Sequence, residues 1–253
     1  MRLDGQPVIV TGGGSGLGAA TARRLARAGC RVAVLDVNAA AAETSAQQIG
    51  GIGIACDVAD AASAEAAVAR AREAHGTARL LVNCAGVGTA GRILGRNGPM
   101  DLAAFERVIR INLIGSFNLL RLAAAGMETL EPLDDGERGV IVNTASIAAY
   151  EGQVGQPAYA ASKAGVVGMT LPAARELARI GVRVVTIAPG LFHTPMVEGL
   201  PPDVQRALGD SIPYPQRLGD PDEYAALVEH IAVNRFLNGE TIRLDGALRM
   251  SPR

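Results

Sequence analysis

The chain is poor in aromatic residues: Phe, Tyr and Trp together make up 3% of it, and Trp is absent. Large rings therefore cannot build the core of these 253 residues, and with 49% apolar residues the core has to be aliphatic, made of Ala, Val, Leu and Ile. An excess of charge of either sign is missing too. The net charge is −1 and no Lys or Arg block stands out, which argues against nucleic acid or an anionic membrane surface as the main partner. Cysteine is scarce, with Cys30, Cys56 and Cys84 only. Their odd number and spacing fit neither a zinc site nor a disulfide framework, so no metal is expected and the thiols read as reduced, noncatalytic groups of a cytoplasmic protein. The opening MRLDGQPVIV lacks the h-region of a signal peptide, and nothing approaches an uncharged apolar run of about 18 residues, so no membrane span is expected.

What the chain does have is alternation. Short apolar runs at 7–11, 31–36, 51–57, 79–86, 140–146, 182–190 and 240–246 read as strands. Between most of them lie amphipathic stretches of helical period, at 15–29, from 37 to about Ile49, at 60–75, from about Asp101 to Thr129, from the YAASK segment to about Ile180, and at 220–232. Asp101 is a plausible N-cap. Residues 87–100 read as a glycine-rich loop, and 191–218 as a proline-rich segment with one possible short helix at 203–209. No linker and no repeat divides the chain. Such alternation implies βαβ units in a single α/β domain, doubly wound, with a mostly parallel seven-stranded sheet covered by helices on both faces.

The first strand runs into TGGGSGLG, residues 11–18. Gly12, Gly16 and Gly18 are spaced G-x-x-x-G-x-G, which departs from the commoner G-x-G-x-x-G. Without Cβ atoms the backbone can turn tightly and approach a pyrophosphate, which the amides and dipole of the next helix favour. Asp36 closes the second strand about 20 residues on, where an acid can accept both hydroxyls of an adenosine ribose. A carboxylate there repels a 2′-phosphate, and neither Val37 nor Asn38 supplies a cation, so NAD is expected over NADP. The alternative is that Asp36 caps the following helix.

Tyr159 and Lys163 stand at i and i+4 of a helix and share a face. A free phenol titrates near 10, and a nearby ammonium is expected to lower that value. A phenol so tuned can exchange a proton with a carbonyl or alcohol oxygen while hydride moves. Ser146, at the end of the fifth strand, lies where α/β sheets bind ligands and can hydrogen-bond the reacting oxygen; capping a turn is its other reading. Tyr150 has no lysine four residues on, so Tyr159 is the candidate acid/base.

TGGGSGLG, VNCAG (82–86), Asn112 in INLIG, Ser146, YAASK and APG (188–190), in this order over nearly the whole chain, resemble the short-chain dehydrogenase/reductase family and its Rossmann fold. The resemblance implies that Tyr159 is the general acid/base, that Lys163 tunes it and holds the nicotinamide ribose, that Ser146 orients the substrate, and that Asn112 supports a water-linked proton relay. It places Ser15 and Leu17 with the glycines on the cofactor, Asp57 and Val58 at the adenine, and Pro189, Gly190, Phe192 and Thr194 over the nicotinamide end. Cys84, Ala85 and Gly86 would face the adenosine, with Cys84 standing where the family often has Asn.

Within the family, ERGVIVNTASIAAYEGQVGQPAYAASK, IAPGLFHTPMVEGLP and the tail FLNGETIRLDGALRM are most similar to the short-chain, or type 2, 3-hydroxyacyl-CoA dehydrogenases. That likeness implies NAD-dependent oxidation of (S)-3-hydroxyacyl-CoA, with Gln153 and Gln156 at the pocket mouth. A lid at 191–218 would offer Met196, Leu200, Leu208 and Ile212 as an apolar wall, and Arg92 and Arg96 are candidates for CoA phosphates. A C-terminal end packed across a subunit interface, as is common in the family, would give a homotetramer. A hydroxysteroid dehydrogenase, a 3-oxoacyl reductase and a noncatalytic scaffold subunit are the alternative readings.

Overall fold

The computed structural model describes residues 1–96 and 98–252; the side chain of Met196, one of the expected lid contacts, lies outside the described residues. Along the chain, β1 (Pro7–Thr11), α1 (Gly16–Arg27), β2 (Arg31–Asp36), α2 (Ala39–Gln47), β3 (Ile52–Ala55), α3 (Ala61–His75) and β4 (Leu80–Asn83) alternate. A hairpin of two-residue strands follows, β5 (Leu94–Gly95) and β6 (Gly98–Pro99). Then come α4 (Leu102–Ile109), α5 (Gly115–Glu128), β7 (Gly139–Thr144), α6 (Pro157–Leu177), β8 (Val182–Pro189), α7 (Pro195–Glu198), α8 (Pro202–Asp210), α9 (Pro221–Val233) and β9 (Thr241–Leu244).

The main sheet has the order β3-β2-β1-β4-β7-β8-β9. Each neighbouring pair is parallel, so the sheet is more uniform than the mostly parallel one expected. Strand side chains alternate between faces, and both faces are apolar because both are covered. Val8, Val10, Val34, Val82, Val142 and Ile187 pack on one face with Leu25 of α1 and Tyr224, Val228 and Ile231 of α9. Ile9, Leu35, Ile54, Leu81, Ile141 and Val184 pack on the other with Ala67 of α3, Leu119 and Met127 of α5 and Ala174 of α6. The largest fully buried side chain of this aliphatic core is that of Tyr224, whose hydroxyl lies 2.7 Å from Thr144 Oγ1.

Strand order reverses between β1 and β4, and a crevice opens there beyond the carboxyl ends of the strands. Two expectations change around it. The loop at 87–100 contains the small β5–β6 hairpin, and the helix expected over 101–129 is interrupted by a π-helical turn at Arg110–Ile114. Asp101 does cap its start, Oδ1 accepting from Ala103 N–H. The whole run Leu102–Glu128 is long and apolar enough to cross a membrane by length and composition, but half of its most apolar window is buried inside the protein.

Candidate active site

A cavity of about 1020 Å³ lies across the carboxyl ends of β1, β4 and β7. Gly12, Ser15, Gly16, Leu17, Gly18, Asp36, Asp57 and Val58 line one part of it. Ser146, Gln153, Gln156, Tyr159 and Lys163 line another, with Cys84, Ala85, Gly86, Pro189, Gly190, Phe192 and Thr194 completing the wall. The expected catalytic and cofactor-binding residues are thus gathered from eight separate stretches of chain, and of these Asn112 alone stands outside the lining. A larger groove of about 1640 Å³ follows α1, α2 and α8, but its rim mixes Arg23, Arg27 and Arg206 with Glu198, Asp210 and Asp222. It contains neither Ser146 nor Tyr159, so the chemistry belongs to the smaller cavity.

The glycine loop is bare backbone because side chains have no room. Gly12 has φ +61, and a Cβ there would meet Ala85 N at 2.7 Å; a Cβ on Gly18 would meet Gly12 O at 2.2 Å. Helix α1 therefore starts flush against the loop, with Ser15 as its N-cap and no side-chain cap bond on its first amides. Those amides and the helix dipole are available to an anion. Such a cradle fits the diphosphate of a nicotinamide dinucleotide. Asp36 sits at its edge, with Oδ2 accepting from Gly14 N–H and Oδ1 from Asn38 N–H, both at 3.0 Å. The helix-cap alternative for Asp36 fails, because Asn38 caps α2 through Oδ1 and Ala41 N–H.

At the other end, Ser146 is the N-cap of the short 3-10 turn Ile147–Ala149, its Oγ accepting from Ala148 N–H at 3.1 Å. This cap fixes the serine beside the Tyr159 phenol. Burial pushes that phenol above its ordinary value, and the neighbouring Ser146 hydroxyl acts in the opposite direction. Lys163 Nζ lies 5.8 Å from the Tyr159 ring centroid and donates to Thr144 O at 2.8 Å. Burial brings the ammonium down from 10.5 to about 8, with the Cys84 thiol opposing. Desolvation is the largest cause for both groups, upward for the phenol and downward for the ammonium. Lys163 is also the only lysine in the chain.

Asn112 sits in the π-turn, fully buried. Its Nδ2 donates to Val87 O and to Ser162 Oγ, both at 3.0 Å, and its Oδ1 accepts from Val87 N–H at 2.8 Å. The main-chain carbonyl of Asn112 accepts from Ser116 Oγ. No direct bond joins it to Lys163, and the geometry shows Asn112 tying the Gly86–Val87 turn to α6. Ser162, the small residue within YAASK, is fully buried and bridges Asn112 to Tyr159 O. Its polar role was not legible from its size.

Cys84 Sγ donates to Tyr224 OH and accepts from Thr144 Oγ1, both at 3.7 Å, and burial raises its pKa. Cys30 and Cys56 are likewise pushed up, to about 12 and about 11, and all three thiols are unpaired. Asp57 Oδ1 accepts from Ala59 N–H, which holds the carboxylate beside Val58. Gln153 N–H donates to Gln156 Oε1 at 3.2 Å, so the two glutamines form one unit. The expected apolar wall is corrected. Leu200 and Leu208 do not line the cavity, and Ile212 is buried with Ile147 and Leu248. Leu191, Val197 and Met250 line it instead. Arg92 and Arg96 are exposed and off the lining, whereas Arg107 and Arg110, which carried no motif, are on it. Tyr150 stays outside, stacked 5.2 Å from the Arg243 guanidinium.

The sequence profile described as short chain dehydrogenase matches residues 6–205. The chain belongs to that family: it is an oxidoreductase of the kind that works with a nicotinamide cofactor. It is 52% identical over 254 residues to 3-hydroxyacyl-CoA dehydrogenase type-2 of Rattus norvegicus, which covers 99% of this chain and 97% of that protein. The Homo sapiens protein of the same name is 50% identical over the same shares. The crystal structure of 3-hydroxyacyl-CoA dehydrogenase type-2 from Mycobacterium avium matches with a TM-score of 0.94 and 43% identity, over 98% of both chains.

Proposed function

We propose that the protein oxidises (S)-3-hydroxyacyl-CoA to 3-oxoacyl-CoA with NAD, a step of fatty acid metabolism. One observation carries the reading. Ser146 and Tyr159 meet in the same cavity as a bare glycine cradle, in a chain about half identical over its whole length to relatives named for that activity. Asp36 supports NAD, since its carboxylate faces the ribose end and no cation stands at Val37 or Asn38.

When bound, NAD supplies the acceptor for the hydride leaving the carbinol carbon. Ser146 Oγ donates to the substrate oxygen and holds it against the Tyr159 hydroxyl. In the oxidation the phenolate form of Tyr159 takes the alcohol proton as the carbonyl forms, and in the reverse direction the neutral phenol gives that proton back. Lys163, anchored at Thr144 O, has two further N–H bonds to offer the nicotinamide ribose. Asn112 keeps the Gly86–Val87 turn in place beneath the cofactor.

The test is NADH oxidation with acetoacetyl-CoA, followed by absorbance, beside a ketosteroid panel and NADPH. Turnover of the thioester with NADH is the expected result. Brisk steroid turnover with none of the thioester would replace the substrate reading. For assembly we infer a homotetramer. Strand β9 ends the sheet, and Phe236, Val233 and Leu171 leave apolar surface exposed. Light scattering of the purified protein decides it. We place the enzyme in the cytoplasm, where its unpaired thiols stay reduced.

A further inference from the structure

Beyond β9 the chain reverses and residues 245–252 fold back over their own subunit. Three parts of the site receive this tail. The loop after β7 is bonded to it by Val154 N–H to Pro252 O and by Gln153 Nε2 to Ser251 O, both at 3.0 Å. The Pro189–Leu191 segment meets it where a Cβ on Gly190 would lie 2.9 Å from Asp245 Cα. The end of the lid meets it where Leu248 is buried with Ile147 and Ile212, with Leu191 and Met250 packed alongside.

A charged fork fastens the tail. Arg243 donates to Glu151 Oε1 at 2.6 Å and Oε2 at 2.9 Å, to Asp245 Oδ2 at 2.6 Å and to Leu248 O at 3.0 Å. Arg249 adds contacts of 3.5 Å to Glu151 and 3.2 Å to Asp245. The side chains of Arg243 and Glu151 are 21% and 23% exposed and that of Asp245 8%, so the network is shielded from much of the solvent that weakens surface pairs. Bidentate guanidinium–carboxylate geometry also fixes orientation as well as distance. Arg243 holds two carboxylates on opposite sides, one on the pocket loop and one on the tail; without the cation they would repel.

Met250 is the product of this arrangement. It lines the cavity together with Ser146, Gln153, Gln156 and Tyr159, and it comes from the far end of the sequence. Its thioether is unbranched, apolar and adaptable, suited to a flexible hydrocarbon rather than to a polar group. We propose that the tail is a wall of the substrate pocket, that Met250 is a specificity-determining contact for the carbon chain attached to the reacting carbonyl, and that the Arg243–Glu151 fork is its positioning device. The proposal rests on the reading of the Ser146–Tyr159 end as the substrate site.

The experiment compares wild type, Met250→Ala, Met250→Leu, Glu151→Gln and the Met250→Ala/Glu151→Gln double variant. Ketone substrates of rising chain length are used, and NADH affinity is measured by fluorescence. Met250→Ala should raise KM about tenfold for the long-chain member and much less for the shortest, since several methylene contacts are lost. Its kcat and NADH affinity should stay within about twofold, and Met250→Leu should restore most of the long-chain KM. Glu151→Gln should raise the same KM, and the double variant should fall short of the product of the single effects, because both act through one wall. Equal effects on all chain lengths, or a Glu151→Gln protein with a lowered Tm and unchanged KM, would overturn the proposal. The ketones are 3-oxoacyl-CoA thioesters and ketosteroids with side chains of graded length. Whichever class the wild type reduces is scored, so a failure of the thioester reading is seen separately from a failure of the tail.

Discussion

Replacing Lys163 by Met should stabilise the cofactor-free protein while abolishing turnover. The Lys163 ammonium is buried, and burial depresses its pKa from 10.5 to about 8. That depression corresponds to about 3 kcal/mol of desolvation penalty on the charged form. The sign follows from linkage. Below about pH 8 the folded state carries the buried charge and the full penalty is present. From about pH 8 to 10.5 the folded amine is neutral while the unfolded one still holds its proton, so stability rises with pH until the penalty is gone. Methionine has similar length and no charge. It removes the penalty but leaves Thr144 O without its 2.8 Å donor, which costs about 1–2 kcal/mol. Near neutral pH the variant should therefore gain about 1–2 kcal/mol, or about 2–8 °C in Tm for a chain of this size. At alkaline pH only the lost hydrogen bond remains, and the order of the two proteins should invert. Thermal melts of both proteins, without cofactor, at neutral pH and above the unfolded lysine pKa, check it. A variant that melts below wild type at neutral pH refutes the idea that Lys163 is held against a desolvation penalty.

Tyr159→Phe should reduce kcat by at least about 100-fold with NADH affinity nearly unchanged, as expected for loss of a general acid/base; comparable activity in the Phe variant removes that assignment. In Gly18→Ala the new Cβ has nowhere to go, 2.2 Å from Gly12 O, and NADH binding measured by fluorescence should be lost while the circular dichroism spectrum persists. Asp36→Ala should weaken the NAD over NADP preference about tenfold or more, and an unchanged ratio of the two kcat/KM values would remove the ribose argument. Glu223 is held at about 2 by its bond to Arg217 and by the Asp220 amide, so its contribution is present above pH 4.5 and lost as pH falls toward 2. Glu223→Gln should flatten acid unfolding over that interval, and an acid transition identical to wild type would show that the pair is energetically silent.

The legible parts of the fold share a local cause. Strands such as Pro7–Thr11 and Arg31–Asp36 stand out because a strand covered on both faces needs a continuous apolar run. The Tyr159–Lys163 pair stands out because residues four apart on a helix share a face. The π-turn that seats Asn112 had no such mark, since the partners of Asn112 are Val87, Ser116 and Ser162, from three different segments. Leu200 and Leu208 suited a pocket wall by composition alone, and the wall went to Leu191, Val197 and Met250 because the tail folds over that end.

The sequence by itself determined the α/β alternation, the glycine cradle, the acid at the end of β2 and the identity of the serine, tyrosine and lysine, because each depends on residue type and spacing within one strand or helix. Tertiary structure alone decided that Asp36 is no helix cap, that burial shifts Tyr159 upward and Lys163 downward, and that Met250 of the C-terminal tail lines the cavity. The reason is physical: desolvation and long-range hydrogen bonds depend on which distant segments are brought together, and no local spacing records that.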